Sequence, residues 1–271
     1  MNNKVVLITG ASSGMGKVTA QILVENGYTV YAAARRIEKM NDLKQTGAKI
    51  LQMDITDENS MQIGVDKIIQ NEGRIDILIN NAGFGLMGSV EDVLMKDAKY
   101  QMEVNVFGLA RLTQLVLPFM RKQQSGKIVN ITSTSGKMAS PLSGWYSASK
   151  FAVEALSDSL RTEVKSFGID VIIIEPGGVK SEWGDIALKS LHDVSSGKAY
   201  AKMAEKIIEF AKKSVPKNAE PEVIAKLILK AISAQNPKTR YHAGYMAGPI
   251  LFLKKVLTDK QFDGLLMSQM K

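Results

Sequence analysis

The feature that most constrains this chain is the alternation of short runs rich in β-branched residues with longer amphipathic runs. Seven strands are predicted, at residues 4–10, 29–34, 48–54, 75–81, 126–133, 169–177 and 239–244. Helical patterns lie at about 15–26, 38–46, 57–71, 97–122, 145–166, 201–213 and 221–235. Strands that are apolar on both faces and alternate with helices are typical of a parallel sheet covered on both sides. The sequence therefore predicts a doubly wound α/β fold with a seven-stranded parallel sheet.

Length and patterning favour a single domain. A chain of 271 residues, 45% of them hydrophobic, can bury one large core. We predict that residues 1–247 form that domain, with an irregular substrate loop at about 178–200 above the carboxyl edge of the sheet. Residues 248–271 are predicted to form an amphipathic extension, which could pack on the domain, against another subunit or on a membrane surface. Packing on its own domain is the favoured interpretation.

Composition excludes several classes of function. The absence of cysteine rules out disulfides, thiolate metal sites and cysteine nucleophiles, and two histidines are too few to suggest a metal centre. The net charge of +8 comes with lysines scattered through helical patterns, which favours solubility and attraction of anionic cofactors over nucleic-acid binding. The apolar run after Lys4 is too short for a signal sequence, and no run approaches the ~20 apolar residues of a membrane span. A cytoplasmic protein is therefore expected.

The first predicted strand ends in TGASSGMG, residues 9–16. Glycines in this turn allow the backbone to approach a ligand closely, and the helix that follows directs free N–H groups and its positive dipole end at a phosphate. The turn is therefore a predicted pyrophosphate site for a dinucleotide, although its glycine spacing departs from G-x-G-x-x-G. Its predicted contacts are Gly10, Ser12, Ser13, Met15 and Gly16.

Two other motifs compete with this interpretation. GASSG at 10–14 matches the G-x-S-x-G elbow of serine hydrolases, but an elbow on the first strand has no earlier strand loop to complete an oxyanion hole. The two histidines, His192 and His242, lie in the predicted loop and in a late strand, so a hydrolase is disfavoured. GFGLMG at 83–88 fits G-x-G-x-x-G literally, but its helix does not begin until about Val90, so we assign it a lining role.

The end of the second strand indicates which dinucleotide binds. An NAD site places a carboxylate there for the ribose 2′-hydroxyl, whereas this strand runs YAAARR and ends in Arg35 and Arg36. A guanidinium suits a phosphate, so NADP(H) is preferred over NAD(H), with one of the two arginines expected to lie in a solvated loop instead. Asp54, followed by Ile55, could contact the adenine, while Asp57 could cap the next helix.

Seven motifs occur in a particular order along the chain: TGASSGMG, MDITD (53–57), NNAG (80–83), NVFG (105–108), ITSTSG (131–136), YSASK (146–150) and PGGVKS (176–181). In this order and setting the chain, from about residue 4 to 244, resembles the short-chain dehydrogenase/reductase family. The resemblance implies a single-domain Rossmann fold, a nicotinamide cofactor and hydride transfer between a carbonyl and an alcohol. A homo-oligomer, either a dimer or a tetramer, is also expected.

Carried over one residue at a time, the resemblance places the family's catalytic residues at Asn105, Ser133, Tyr146 and Lys150. Reduction of a ketone puts negative charge on its oxygen, so a proton donor and a fixed hydrogen bond are needed there. Tyr146 could give the proton and Ser133 could hold the oxygen. Lys150 could lower the tyrosine pKa, which is ordinarily ~10. In the family this lysine also bonds the nicotinamide ribose, and the asparagine holds a water chain to the lysine.

The same resemblance completes the cofactor site. PGGVKS has Ser181 where the family usually has threonine, and either Ser181 or the Val179 backbone is expected to bond the nicotinamide carboxamide. The stretch that begins at Asn81 is expected to be mainly structural and to leave room beside the cofactor. The predicted contacts in these later motifs are Asn81, Ala82, Gly83, Tyr146, Lys150, Pro176, Gly177, Val179 and Ser181.

The substrate is the least defined part of the predicted site. Apolar residues near its centre favour a hydrophobic ketone or alcohol. The candidate lining residues are Phe84, Met87, Met138, Leu142, Trp145 and Trp183. The sequence thus predicts an NADP(H)-dependent alcohol dehydrogenase or carbonyl reductase. One alternative is an NADP(H)-responsive binding protein without turnover, which the intact tetrad disfavours. Another is a sugar epimerase or dehydratase, whose glycine spacing and larger C-terminal domain are lacking here.

Overall fold

A sheet of seven parallel strands organises the chain in the computed structural model, which describes residues 4–268. The strands are β1 Val5–Thr9, β2 Thr29–Ala34, β3 Lys49–Gln52, β4 Ile77–Asn80, β5 Gly126–Ile131, β6 Ile169–Pro176 and β7 Arg240–Ala243. The helices are α1 Gly14–Glu25, α2 Asn41–Gln45, α3 Glu58–Glu72, α4 Met95–Met102, α5 Leu109–Gln123, α6 Gly144–Glu163, α7 Glu182–Ser195, α8 Ala201–Ser214, α9 Pro221–Ser233, α10 Ala247–Val256 and α11 Asp259–Ser268. The predicted doubly wound fold is confirmed.

The order of the strands places the candidate site. Across the sheet they run β3-β2-β1-β4-β5-β6-β7, and every neighbouring pair is parallel, so all seven carboxyl ends meet at one edge. The chain changes direction across the sheet between β1 and β4, and open α/β sheets bind ligands at such a switch point. The segments that follow β1, β4 and β5 therefore border one crevice.

Two apolar cores cover the two faces of the sheet. On β1, Val6 and Ile8 belong to the core shared with α1 and α9, whereas Val5 and Leu7 belong to the core shared with α3 and α5. All four side chains are at most 2% exposed. Burial of one such side chain stabilises the fold by about 1.5–3 kcal/mol, so the covered strands are a rigid support for the turns at their carboxyl ends.

The prediction of an irregular substrate loop at 178–200 is wrong for most of its length. Helix α7 occupies Glu182–Ser195, and its buried residues, Ala187, Leu191 and Ser195, recur at every fourth position. An extended residue precedes the helix and acidic residues lie in its first turn, as helix starts favour. Only Leu191 among these three is a large apolar residue, so the helical period is weak in the sequence.

The predicted helix at 97–122 is also not regular. It consists of α4 and α5 joined by a π-helical turn over Glu103–Gly108, and Asn105 lies within this turn. π-Helical turns are frequent at functional sites because the extra residue changes where side chains point. Gly108 packs so closely on the carbonyl of Ile55 that a Cβ would overlap it. The turn is thereby held beside the segment that follows β3.

The C-terminal helices bury only part of their apolar side. Phe262 of α11 is 1% exposed, but Phe252 and Val256 of α10, which the sequence pattern places on the apolar side, are 64% and 54% exposed. No helix within residues 4–268 is both long and apolar enough to span a membrane. The last residues of the predicted extension, 269–271, lie outside the described part of the chain.

Candidate active site

The turn after β1 forms a cradle built from backbone. Gly10 and Gly14 have φ angles of +68° and +54°, which side chains rarely allow. A Cβ on Gly10 would lie 2.8 Å from the Cα of Ala82, and a Cβ on Gly16 would overlap the Asn81 side chain. Ser13 is the N-cap of α1, but its side chain makes no capping hydrogen bond. The Ser13 hydroxyl therefore does not occupy the first N–H groups of the helix. This cradle fits a pyrophosphate.

Asn81 binds the cradle to the neighbouring strand. Its side-chain amide donates to the carbonyls of Thr9 at 3.0 Å and Gly10 at 3.3 Å. The backbone N–H groups of Asn81 and Ala82 both donate to the Thr9 hydroxyl at 3.1 Å. These four bonds account for the side-chain amide and the local backbone, in line with the structural role expected for this stretch.

A carboxylate lies between two cations beside the cradle. Arg36 Nη2 is 3.3 Å from Glu182 Oε2 and 3.3 Å from the Ser12 hydroxyl, and Lys39 Nζ is 3.2 Å from Glu182 Oε1. The hydrogen bond from Lys39, followed by weaker effects that include Arg36, holds the pKa of Glu182 below its ordinary value. The group is a candidate anion-binding site, and the sequence did not indicate Lys39 as part of it. Lys39 lies in a 3-10 turn three residues after Arg36, a short-range spacing that could have indicated it.

Arg35 points to a different part of the site. Its Nη1 donates to the Tyr100 hydroxyl at 3.0 Å and lies 3.9 Å from the carboxylate of Asp54. Asp54 also accepts from the N–H and the hydroxyl of Thr56 at 3.0 and 2.8 Å. Asp57 caps α3, accepting from two backbone N–H groups at 2.9 and 3.3 Å. The two arginines therefore have different partners, and Asp57 has the capping role considered for it.

Tyr146 and Lys150 are buried on one face of α6. The tyrosine is 6% exposed and the lysine 7%, and the ammonium lies 5.9 Å from the centre of the phenol ring. Lys150 Nζ also donates to the carbonyl of Ile131 at 2.9 Å, which fixes it against the end of β5. Burial raises the pKa of Tyr146 to about 12, and the neighbouring Ser133 hydroxyl opposes this. Burial lowers the pKa of Lys150 to about 8, and the charge of Glu154 opposes this.

Asn105 approaches the same point from the π-helical turn. Its side-chain oxygen accepts from the N–H of Phe84 at 3.0 Å, and its amide donates to the Phe84 carbonyl at 2.9 Å and to the Ser149 hydroxyl at 3.0 Å. A Cβ on Gly83 would lie 3.1 Å from the Asn105 oxygen and 3.7 Å from Lys150 Nζ. Gly83 therefore leaves open the space that these polar groups border.

Trp183, in the first turn of α7, covers the tyrosine. The ring centres of Tyr146 and Trp183 are 5.1 Å apart, in a tilted arrangement. The indole lies directly against Gly85, where any Cβ would overlap it. Of the predicted apolar lining residues, Trp183 is thus in contact with the phenol. Trp145 instead lines a surface pocket with residues of α4 and the π-helical turn, among them Met95.

The GFGLMG segment is the surface on which α7 packs. Gly88, with φ +158°, leaves space for Val194, since a Cβ there would approach that side chain too closely. The N–H of Met87 donates to the Ser190 hydroxyl at 3.2 Å, and that hydroxyl donates to the Met87 carbonyl at 3.2 Å. Together with the contact at Gly85, these contacts explain glycines that resemble a second phosphate motif. Met87 and Leu142 pack with α7 and α8 in a separate small cluster.

The segment from β6 to α7 passes over the cradle. Pro176 ends β6, and the next residue, Gly177, donates to the Ala243 carbonyl at 2.8 Å. Val179 forms a bridge with Ala219, and Ser181 then caps α7 without a side-chain hydrogen bond. Because a Cβ on Gly14 would lie 3.3 Å from Ser181 Cβ, the later segment packs directly against the cradle.

Comparison with known proteins identifies the class to which this fold and site belong. Residues 4–188 match the family model described as short chain dehydrogenase. The chain belongs to the short-chain dehydrogenase family and is an oxidoreductase of that family. This confirms the family resemblance seen in the sequence motifs.

Individual relatives resemble the chain over nearly its whole length. It is 36% identical to the 3-ketodihydrosphingosine reductase of Bacteroides thetaiotaomicron, across 94% of this chain and 92% of that protein. A short-chain dehydrogenase of Streptomyces avermitilis superposes with a TM-score of 0.81 at 31% identity, covering 99% of this chain and 95% of the other. The closed form of a serine dehydrogenase complexed with NADP+ gives a TM-score of 0.77 at 27% identity, covering 89% and 94%.

Proposed function

We propose that the protein is an NADP(H)-dependent carbonyl reductase that acts reversibly on a hydrophobic ketone and its secondary alcohol. One observation carries this proposal: Lys150 and Asn105 border the space left by Gly83, the Lys150 ammonium lies 5.9 Å from the centre of the Tyr146 ring, and the Ser133 hydroxyl lies beside the phenol. Gly83 directly follows Ala82 in the chain, and the backbone of Ala82 forms a wall of the cradle. This arrangement supports a role for Tyr146 as the proton donor to a substrate held beside a dinucleotide.

The chain's own residues account for the proton chemistry. When bound, the nicotinamide supplies hydride to the carbonyl carbon or accepts it from the alcohol. Tyr146, with its pKa raised to about 12, keeps its proton at neutral pH and can give it to the more basic oxygen of a ketone as that oxygen gains charge. Ser133 is the second donor to that oxygen. Lys150, when charged, stabilises the phenolate that remains.

The anion-binding site supports NADP(H) as the cofactor. Arg36 and Lys39 already hold one carboxylate, that of Glu182, with the Ser12 hydroxyl on the same guanidinium. A 2′-phosphate on the ribose has the charge and acceptor atoms to take the place of this carboxylate. The serine dehydrogenase relative was solved with NADP+, which is consistent with this assignment. Arg35, bonded to Tyr100, is the arginine that we place outside the phosphate site.

The surroundings of Tyr146 support an apolar substrate. The tilted Trp183 ring packs against the phenol with 5.1 Å between the ring centres, so an apolar surface borders the proton donor. The relative from Bacteroides is named for the reduction of a 3-keto compound, 3-ketodihydrosphingosine. We therefore place the substrate in the class of ketones with an extended apolar body.

We propose a cytoplasmic homo-oligomer, dimer or tetramer, in which residues 1–247 are the catalytic domain and 248–271 the extension. Light scattering after size-exclusion chromatography checks the assembly. A monomer at micromolar concentration would contradict it.

A panel of ketones tests the proposed function. Purified protein is mixed with NADPH or NADH and with ketones of increasing apolar length, and cofactor oxidation is followed by absorbance. We expect turnover with NADPH, rising with the apolar length of the ketone. NADPH binding without turnover across the panel would favour the non-catalytic binding protein. Equal turnover with NADH would contradict the phosphate site.

A further inference from the structure

Glu154 is a buried carboxylate directly behind the catalytic pair. It follows Lys150 by four residues and Tyr146 by eight on α6, a spacing that puts all three side chains on one face of the helix. Glu154 is 4% exposed. A buried carboxylate is costly unless its charge and lone pairs are satisfied, so its partners matter.

The partners of Glu154 come from three other elements. Its Oε1 accepts a hydrogen bond from the Thr132 hydroxyl at 2.7 Å, and Thr132 immediately precedes Ser133 in the chain. Its Oε2 accepts from the Nε and Nη2 atoms of Arg240 on β7, both at 3.0 Å, and lies 2.8 Å from Lys137 Nζ. One carboxylate therefore joins α6 to the end of β5, to the turn that follows it and to β7.

These contacts enclose the catalytic serine. The segment 131–137 is held to α6 at Ile131 by Lys150, and at Thr132 and Lys137 by Glu154. Ser133 lies between these attachment points and begins the 3-10 turn Thr134–Gly136, with its hydroxyl accepting from the N–H two residues later. Gly136 packs on Glu154, since a Cβ there would lie 2.9 Å from the glutamate Cγ.

We propose that Glu154 is a positioning residue whose carboxylate locks the serine-bearing segment onto the helix that carries Tyr146 and Lys150. This inference rests on the proposed function for its catalytic meaning. A second consequence is electrostatic, because Glu154 is the charge that counters the effect of burial on Lys150. The same side chain thus fixes the place of one catalytic group and the charge of another.

The other charged groups around Glu154 determine the sign of the electrostatic effect. Lys137 faces it from the turn after β5 and Arg240 from β7, while Lys150 and Asp158 lie one turn away on α6. Glu175 of β6 reaches the same arginine at 3.6 Å. Removing the charge of Glu154 leaves Lys137 and Arg240 less balanced near Lys150, so the pKa of Lys150 must fall further.

The test compares Glu154→Gln with Asp158→Asn. Asp158 also binds Arg240, at 2.6 Å, but no hydrogen bond or ion pair joins it to the segment 131–137 within the described chain, so it is a matched control. The pKa of Lys150 is measured by NMR in protein labelled with 13C-lysine, and the signal is assigned by its loss in Lys150→Met. Thermal melting confirms that each variant is folded.

We expect the Lys150 midpoint to fall by about one pH unit in Glu154→Gln and to stay in place in Asp158→Asn. We also expect kcat for ketone reduction to fall roughly 10- to 100-fold in the glutamine variant alone, because a displaced serine no longer meets the oxygen. Equal midpoints and equal kcat in the two variants would overturn the inference. Absence of turnover in the wild type would instead reject the proposed function, while the NMR comparison would still decide the role of Glu154.

A further variant serves if Glu154→Gln does not fold. Lys137→Met removes a partner whose side chain is 34% exposed, and it leaves more of the Glu154 charge acting on Lys150. The Lys150 midpoint then rises by a few tenths of a pH unit, opposite in sign to the glutamine variant. A midpoint that stays in place or falls would overturn the inference.

Discussion

The proposed cofactor half and the proposed catalytic half of the crevice are built differently. Around Arg36, the charged partners are close to half-exposed, as Glu182 is at 48%, and they bond to one another through water-facing atoms. Around Lys150, the side chains of Tyr146, Asn105 and Glu154 are, like that of the lysine, at most 7% exposed, and Asn105 and Glu154 each make several hydrogen bonds. Exposed ion pairs contribute little to stability and exchange readily, whereas buried ones are costly to rearrange. The first half is therefore suited to admit a ligand and the second to hold a reactive geometry.

Among the changes that compare the two halves, loss of the lysine charge has the largest expected effect. Lys150→Met should lower kcat roughly 10²- to 10³-fold, because the phenolate of Tyr146 loses its neighbouring cation. The matched control is Lys127→Met. Lys127 is also a largely buried lysine with a pKa lowered by burial, but it donates to the Ile232 carbonyl away from the site. Steady-state assays that show equal losses in the two variants would remove the contrast between the halves.

Removal of the Arg36 guanidinium should weaken the binding of NADPH. Arg36→Ala is expected to raise the Kd of NADPH roughly 10- to 100-fold and leave that of NADH unchanged, since only NADPH carries the 2′-phosphate. Arg35→Ala is the control and should change neither constant by more than about twofold. Fluorescence titration gives all four values. A larger effect from Arg35 would reverse the assignment of the two arginines.

The carboxylate of Glu182 should compete with the cofactor. Glu182→Gln is expected to tighten NADPH binding about two- to fivefold, with a discount for the exposure of this ion pair. NADH has no phosphate to compete, so its affinity should not change. The same titration would speak against competition if both cofactors responded alike.

The last effect concerns the stability of the fold and its dependence on pH, not binding or turnover. Burial, and then repulsion from Glu154, raises the pKa of Glu175 to about 7 from an ordinary 4.5. Between these two pH values Glu175 is protonated in the folded state but ionised in the unfolded chain. Its contribution to the free energy of unfolding is therefore full below pH 4.5 and is lost as the pH rises through 7. Glu175→Gln removes this loss. Its effect on the free energy of unfolding should therefore be more favourable at pH 8 than at pH 5, by on the order of 2 kcal/mol. Thermal melts with equal shifts at both pH values would contradict this.

Local patterns in the sequence predict the sheet, the glycine cradle and the pairing of Tyr146 with Lys150. Each depends on residues a few positions apart, where spacing and secondary structure fix the geometry. The features that the sequence did not reveal join distant parts of the chain. Glu182 bonds to Lys39, which lies 143 positions earlier in the chain. Trp183 packs against Gly85, a contact that the periodicity of the sequence does not indicate. Helix α7 was missed because only one of its three buried residues, Leu191, is a large apolar residue.

The catalytic role of Tyr146 is the central claim. The most direct measurement is the rate of NADPH oxidation by wild type and by Tyr146→Phe, with the same ketone and with cofactor binding checked in parallel. The proton donor is lost while the ring that packs against Trp183 is kept. We predict that kcat falls at least roughly 10³-fold while the Kd of NADPH stays within about twofold. Turnover by the phenylalanine variant at a rate near that of wild type would contradict the account.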